Sequence, residues 1–198
     1  GRIKKVVTWD GKEITYSYDA DGRIIRADYS DASYNEYTYD GDSTRELTRV
    51  YTYPDGTFYS YVYTYYRDGV RKSTTFTARN GESTAYHYRN DRKIERIEYP
   101  DGNIATYTYD GGKLSRIDHS QGELQYTTRE YFASGWIEKI SDFFNDGTSR
   151  YDEYTYYTDS SWWVVQTLRS VERDGSYVLY EYDRRSRLVK VTRGSDGT

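Results

Sequence analysis

The chain has 198 residues, 28 of them basic and 32 acidic, and the two signs are interspersed to a net charge of −4. The absence of any basic run predicts no nucleic-acid partner, and the absence of cysteine excludes a disulfide framework or a thiolate metal site. Only 35% of the residues are apolar, yet 27 Tyr, 5 Phe and 4 Trp bring the aromatic share to 18%, far from the aromatic poverty of disordered chains.

The longest apolar run, Trp162–Val165, is too short for a membrane-spanning helix. Gly1 in place of an initiator Met reads as a trimmed chain, so an export signal is expected to have been removed and the protein to be extracytoplasmic, in the periplasm or at the cell surface.

Along the chain, period-2 alternation replaces helical periodicity. It runs through Ile14-Tyr16-Tyr18, Tyr37-Tyr39 and Tyr59-Tyr61-Tyr63-Tyr65, the last with Ser60, Val62 and Thr64 on the opposite face. It continues through Tyr86-Tyr88, Tyr107-Tyr109, Tyr154-Tyr156 and Val178-Tyr180-Tyr182. Tyr, Val, Ile and Thr suit a pleated, half-buried surface. Turn dipeptides separate these runs: Asp10-Gly11, Asp21-Gly22, Asp55-Gly56, Asp68-Gly69, Asn80-Gly81, Asp101-Gly102, Asp146-Gly147 and Asp174-Gly175. Glycine adopts positive φ freely and Asp or Asn tolerates it, as hairpin turns require. Both prolines, Pro54 and Pro100, precede an Asp-Gly pair, where a fixed φ starts a turn. The pattern predicts about seventeen strands, from 3–9 and 13–18 at the start to 162–172, 176–182 and 187–192 at the end. No linker interrupts them, so a single domain over 1–198 is expected.

The hairpins also repeat. Tyr16-Ser-Tyr18-Asp19, followed by Gly22-Arg23-Ile24, recurs as Tyr107-Thr-Tyr109-Asp110 with Gly112-Lys113-Leu114. It recurs as Tyr180-Glu-Tyr182-Asp183 with Arg187-Leu188, and less closely as Tyr86-His-Tyr88 with Lys93-Ile94. These units resemble the YD repeat of Rhs, wall-associated and teneurin-type proteins. In overall texture and length the chain is also similar to small domains of gut Bacteroidetes lipoproteins described as porin-like. The resemblance implies an extracytoplasmic β-sheet that spirals or closes on itself. It thins across 123–173, and the chain is too short to enclose a folded toxin as large Rhs shells do.

Within a unit, Leu114 and Ile117, or Ile94 and Ile97, fall three apart, which strict alternation would place on opposite faces. Either both faces are partly covered or a bulge beside the turn shifts the parity. The cation at the turn exit (Arg23, Lys113 or Arg187) can lay its stem over a neighbouring Tyr ring.

No catalytic constellation stands out. His87 and His119 have no partner at metal-ligand spacing, Ser134-Gly135-Trp136 is no nucleophile elbow, and Gly111-Gly112-Lys113 is too short for a phosphate loop. Asp19-Ala-Asp21 and Asp40-Gly-Asp42 lack the remaining ligands of a calcium loop. The expectation is therefore a protein that is not an enzyme and uses no cofactor or metal. Trp162 and Trp163 are adjacent and must face opposite sides of a strand, and Trp136 lies near a rim. These three rings are the candidate ligand-binding residues, with the stretch 158–173 as the place of recognition. The architecture expected is all-β: an antiparallel meander of Tyr-rich hairpins, closed as a barrel or wound into a short β-spiral, with closure favoured because it removes edges. Charge on both faces of strands such as Arg71-Lys72-Ser73-Thr74 predicts that the domain does not insert in a membrane. Two functions fit: a non-enzymatic scaffold or interaction module at the cell envelope, or a carbohydrate-binding module that uses exposed Tyr and Trp. The partner is accordingly a glycan or a protein.

Overall fold

The computed structural model describes residues 1–157 and 164–195, and these contain seventeen strands and no helix. The chain divides into two compact units, 1–102 and 103–198. The first unit holds β1 (Lys5–Val7), β2 (Glu13–Tyr18), β3 (Ile24–Tyr29), β4 (Tyr34–Tyr39), β5 (Glu46–Thr52), β6 (Phe58–Tyr65), β7 (Arg71–Thr77), β8 (Ser83–Tyr88) and β9 (Ile94–Glu98). The second holds β10 (Ile104–Asp110), β11 (Lys113–His119), β12 (Leu124–Tyr131), β13 (Ile137–Phe144), β14 (Ser149–Tyr156), β15 (Val165–Val171), β16 (Ser176–Tyr182) and β17 (Leu188–Ser195). The strand expected at 3–9 is shorter than its alternation suggested, and the one expected at 162–172 starts outside the described residues.

Every described pairing within a unit is antiparallel and joins strands consecutive in sequence. The meander is as expected. The favoured closure is not seen, because these pairings close neither unit into a barrel.

Many of the turns share one construction. In Thr8–Lys12, Gly11 N–H donates to the Thr8 carbonyl (2.9 Å) and Thr8 N–H to the Lys12 carbonyl (2.8 Å). Tyr53–Thr57, Tyr66–Val70 and Asp183–Arg187 repeat the same pair of bonds. This is a three-residue loop whose last residue takes positive φ, as at Gly11 (82°) and Gly56 (81°). Where the repeat lacks glycine the backbone keeps that conformation at Ala32 (69°), Arg92 (67°) and Ser186 (57°).

A bulge lies near the start of each odd-numbered strand from β3 onward, and it resolves the parity puzzle. Tyr109 pairs with Leu114 and Thr108 with Arg116, which leaves Ser115 as the extra residue. Likewise Tyr88 faces Ile94 and His87 faces Arg96, leaving Glu95 unmatched. The slip returns Leu114 and Ile117, or Ile94 and Ile97, to one face.

The interior is thin. Among the described residues only Ala27, Tyr63, Ile97, Ala105 and Val171 are buried apolar residues, beside the buried polar Ser33, Asn35, Thr74, Thr127 and Ser141. Most tyrosines are half-buried, and rings stack along one face, as at Tyr51–Tyr59 (5.2 Å) and Tyr61–Phe76 (5.0 Å). The opposite face carries hydroxyl pairs across neighbouring strands: Thr38–Thr48, Thr64–Ser73 and Thr155–Thr167, each at 2.7 Å. Such cross-strand pairs contribute roughly 0.2–1 kcal/mol each, so many weak ladders take the place of an aliphatic core.

Candidate functional site

The turn motif carries the first cluster of charge. Arg23 donates from its backbone N–H (2.8 Å) and its Nε (2.6 Å) to the Asp19 carboxylate, and its guanidinium also meets Asp21 at 3.1 Å. Arg187 binds Asp183 in the same way, through N–H at 3.1 Å and Nε at 2.8 Å. These carboxylates are ion-paired within their own turns, and Arg45 similarly holds Asp40 at 3.1 Å. A guanidinium thus occupies the position a cation would need at Asp19-Ala-Asp21. Among the described residues no group of three His, Asp or Glu is placed to hold a metal. His87 lies in the cross-strand ladder with its Nε2 at 3.3 Å from Glu98.

Of the three candidate rings, Trp162 and Trp163 lie outside the described residues. Trp136 is half-buried in the turn between β12 and β13, where its ring meets Tyr156 edge-on at 4.8 Å. Its position in the repeat is the one that Arg23 or Lys113 takes elsewhere, so the indole fills the place of a cation over a tyrosine. Burial holds the Tyr156 hydroxyl above its ordinary pKa.

A more open aromatic surface lies in the first unit, at the rim formed by the turns Thr8–Lys12, Tyr29–Ser33 and Tyr53–Thr57. Trp9 stands on the first of these at 99% exposure. Beside it is a cleft of about 650 Å³ walled by Tyr29, Tyr51, Tyr53 and Tyr59 with Asp10 and Lys12 at its mouth. The rings support one another: Tyr51 meets Tyr53 edge-on at 4.9 Å and Tyr29 at 6.1 Å. Arg79 lies over Tyr53, 4.3 Å from its centroid, and pairs with Asp55. Burial pushes the Tyr59 hydroxyl up, so it stays neutral. Hydrogen bonds from Thr8 to Asp10 and from Ser33 to Asp31 pull both carboxyls below their ordinary range, so they stay ionised acceptors. The cleft therefore offers ring faces framed by fixed acceptors. The sequence places Trp9 near a rim, beside an Asp-Gly pair, but did not single it out as a candidate, because three turns about twenty residues apart meet only when strands stack.

No protein-family model matches the chain. It is similar to the tRNA nuclease WapA of Bacillus subtilis (strain 168), with 27% identity over 158 residues, which is 78% of this chain and 6% of that protein. The chain thus spans about one-sixteenth of the length of this curated relative. The match overturns the expectation of a protein that is not an enzyme, because the relative is itself a named nuclease; a missing catalytic triad or metal cluster in one chain was too narrow a ground for that expectation. Among solved structures, TcdB2-TccC3 gives a TM-score of 0.48 at 12% identity, with 100% of this chain and 12% of that one covered. The Photorhabdus luminescens Tc holotoxin pore gives 0.44 at 15% identity, covering 90% and 12%. A porin-like protein from Bacteroides uniformis gives 0.37 at 15% identity, covering 96% and 91%. At such TM-scores nothing further is built on these three likenesses.

Proposed function

We propose that residues 1–198 together form a repeat segment of the scaffold of a larger nuclease-type protein that works at or beyond the cell envelope. The observation that carries this reading is the match of most of the chain to a small part of a much longer named nuclease. The structure supplies a physical complement: three-residue turns recur along the chain and every second hairpin carries the same bulge, which suits a sheet that extends by addition. On this reading the Trp9 cleft is the surface for a polypeptide partner, since exposed Trp and Tyr rings anchor protein contacts efficiently.

The test is a chimera in which this chain replaces the matched segment of the Bacillus subtilis relative. A scaffold segment is expected to leave a folded, protease-resistant chimera that still cleaves tRNA. A chimera that folds but has lost tRNA cleavage would overturn the reading, because the segment would then supply more than architecture.

A further inference from the structure

The Trp9 cleft is built from residues of the first unit alone, and its walls and its mouth differ in chemistry. In the walls, the Tyr51 ring lies 6.1 Å from Tyr29 and 5.2 Å from Tyr59. Among the described residues no cation covers any of these three rings. At the mouth, Asp31 Oδ1 accepts two hydrogen bonds from Ser33, from its N–H at 3.0 Å and its Oγ at 2.6 Å. Asp31 Oδ2 accepts none among the described residues. Asp10 Oδ1 accepts from the Thr8 hydroxyl, so both carboxylates are held in place by their own turns.

Elsewhere the protein fills such a combination of ring and carboxylate with an arginine of its own. Arg23 lies 4.9 Å from the Tyr39 centroid and 2.6 Å from Asp19. Arg26 lies 3.8 Å from Tyr34 and 2.8 Å from Asp28, and Arg116 lies 3.7 Å from Tyr126 and 2.6 Å from Asp118. On the rim of the cleft itself, Arg79 covers Tyr53 and pairs with Asp55. A guanidinium suits both partners, since its flat face stacks on a ring while its N–H groups fork to a carboxylate.

Lys12 is the one cation among the residues that line the cleft. Its Nζ stands 3.7 Å from Asp10 and its side chain is 67% exposed, so it screens the mouth without covering a ring. Two carboxylates against one ammonium leave the mouth negative. Trp9 adds an indole at 99% exposure, and indole is the ring that attracts a cation most strongly. We propose that the Trp9 cleft holds an arginine side chain of a polypeptide partner, its guanidinium against the indole and tyrosine rings and its N–H groups donating to Asp31 Oδ2. The proposal rests on the reading of this cleft as a polypeptide surface and names the side chain that enters it. An acidic side chain would meet like charge at Asp10 and Asp31, and a neutral one would gain nothing from either.

The test is an NMR titration of the full chain, read at the Trp9 indole N–H and the backbone amides of Lys12 and Asp31. The probes are three capped tripeptides: Gly-Arg-Gly, its neutral isostere with citrulline in place of arginine, and Gly-Glu-Gly. The arginine peptide is expected to shift these signals saturably and to bind about ten-fold more tightly than the citrulline peptide. Trp9→Ala, read at the two amides, should weaken it about five-fold. Asp31→Asn keeps the oxygen that accepts from Ser33 and should weaken it roughly three-fold, whereas Lys12→Gln should strengthen it about two-fold. Equal binding of the citrulline peptide, or tighter binding of the glutamate peptide, overturns the arginine assignment while the cleft remains a polypeptide surface. An arginine affinity lowered by Lys12→Gln or untouched by Asp31→Asn also overturns it. No saturable shift with any of the three peptides sinks both the assignment and the polypeptide reading of the cleft.

Discussion

Asp19 with Arg23, and Asp183 with Arg187, show what the aspartate and the turn-exit arginine accomplish together. The carboxylate takes the backbone N–H left over by the loop and also the guanidinium Nε, so one side chain closes the turn and orients the cation toward the next tyrosine. The Asp183 carboxyl is held at about 2, below its ordinary 3.8, chiefly by the hydrogen bond from the Arg187 side chain. Its folded pKa is depressed, so its contribution to stability is fully present above pH 3.8 and is lost as the pH falls through about 2. An NMR titration should find the Asp183 midpoint near 2, and Arg187→Ala should return it toward 3.8. At the tyrosines, Tyr39→Phe keeps the ring under Arg23 and deletes only the hydrogen bond to Ile24. It should lower stability by about 1 kcal/mol in urea unfolding. Trp9→Ala removes a ring that packs little against its surroundings, so its effect should stay within about 0.5 kcal/mol.

At the scale of the element, the turn and the bulge act together. The turn leaves its last residue at positive φ, and the extra residue that follows restores the parity of the apolar positions. Ala32 takes that turn position with φ of 69° and gains nothing from its methyl group. A left-handed alanine costs roughly 1–2 kcal/mol against its preferred conformations, part of which glycine returns as unfolded-state entropy. Ala32→Gly is thus expected to stabilise the protein by about 0.5–1 kcal/mol, read as a higher urea midpoint. Strand positions were legible from alternation and turns from Asp-Gly pairs. The place a bulge would take, beside the turn, was legible too, but not whether it forms, because Leu114 and Ile117 are equally compatible with two covered faces. Pairing with the facing strand had to decide it.

At the scale of the molecule, apolar burial is spread thinly over ladders that each involve neighbouring strands. Stability of this kind is nearest-neighbour and accumulates with hairpin number. A peptide of the β5–β6 hairpin alone, residues 45–66, should therefore show no cooperative unfolding by circular dichroism, since two-stranded units are marginal in water. The fragment 1–102, with nine consecutive strands, should retain a β-type spectrum and unfold cooperatively.

What the sequence determined by itself was the class of fold, the antiparallel order of strands, the sites of the turns and the repeating Asp–Arg motif. All of these depend on residues within one hairpin, where backbone conformation and period-2 alternation act locally. The contacts of tyrosine hydroxyls with distant carbonyls and the Trp9 cleft belong to the tertiary structure. Tyr39 finds the Ile24 carbonyl fifteen residues away, and Trp9 comes to line one cleft with Tyr53. Such partners are chosen by register and by which turns share a rim. A hydroxyl or an indole bears no mark in the sequence of the acceptor or ring it will face, and only the stacking of strands brings the two within reach.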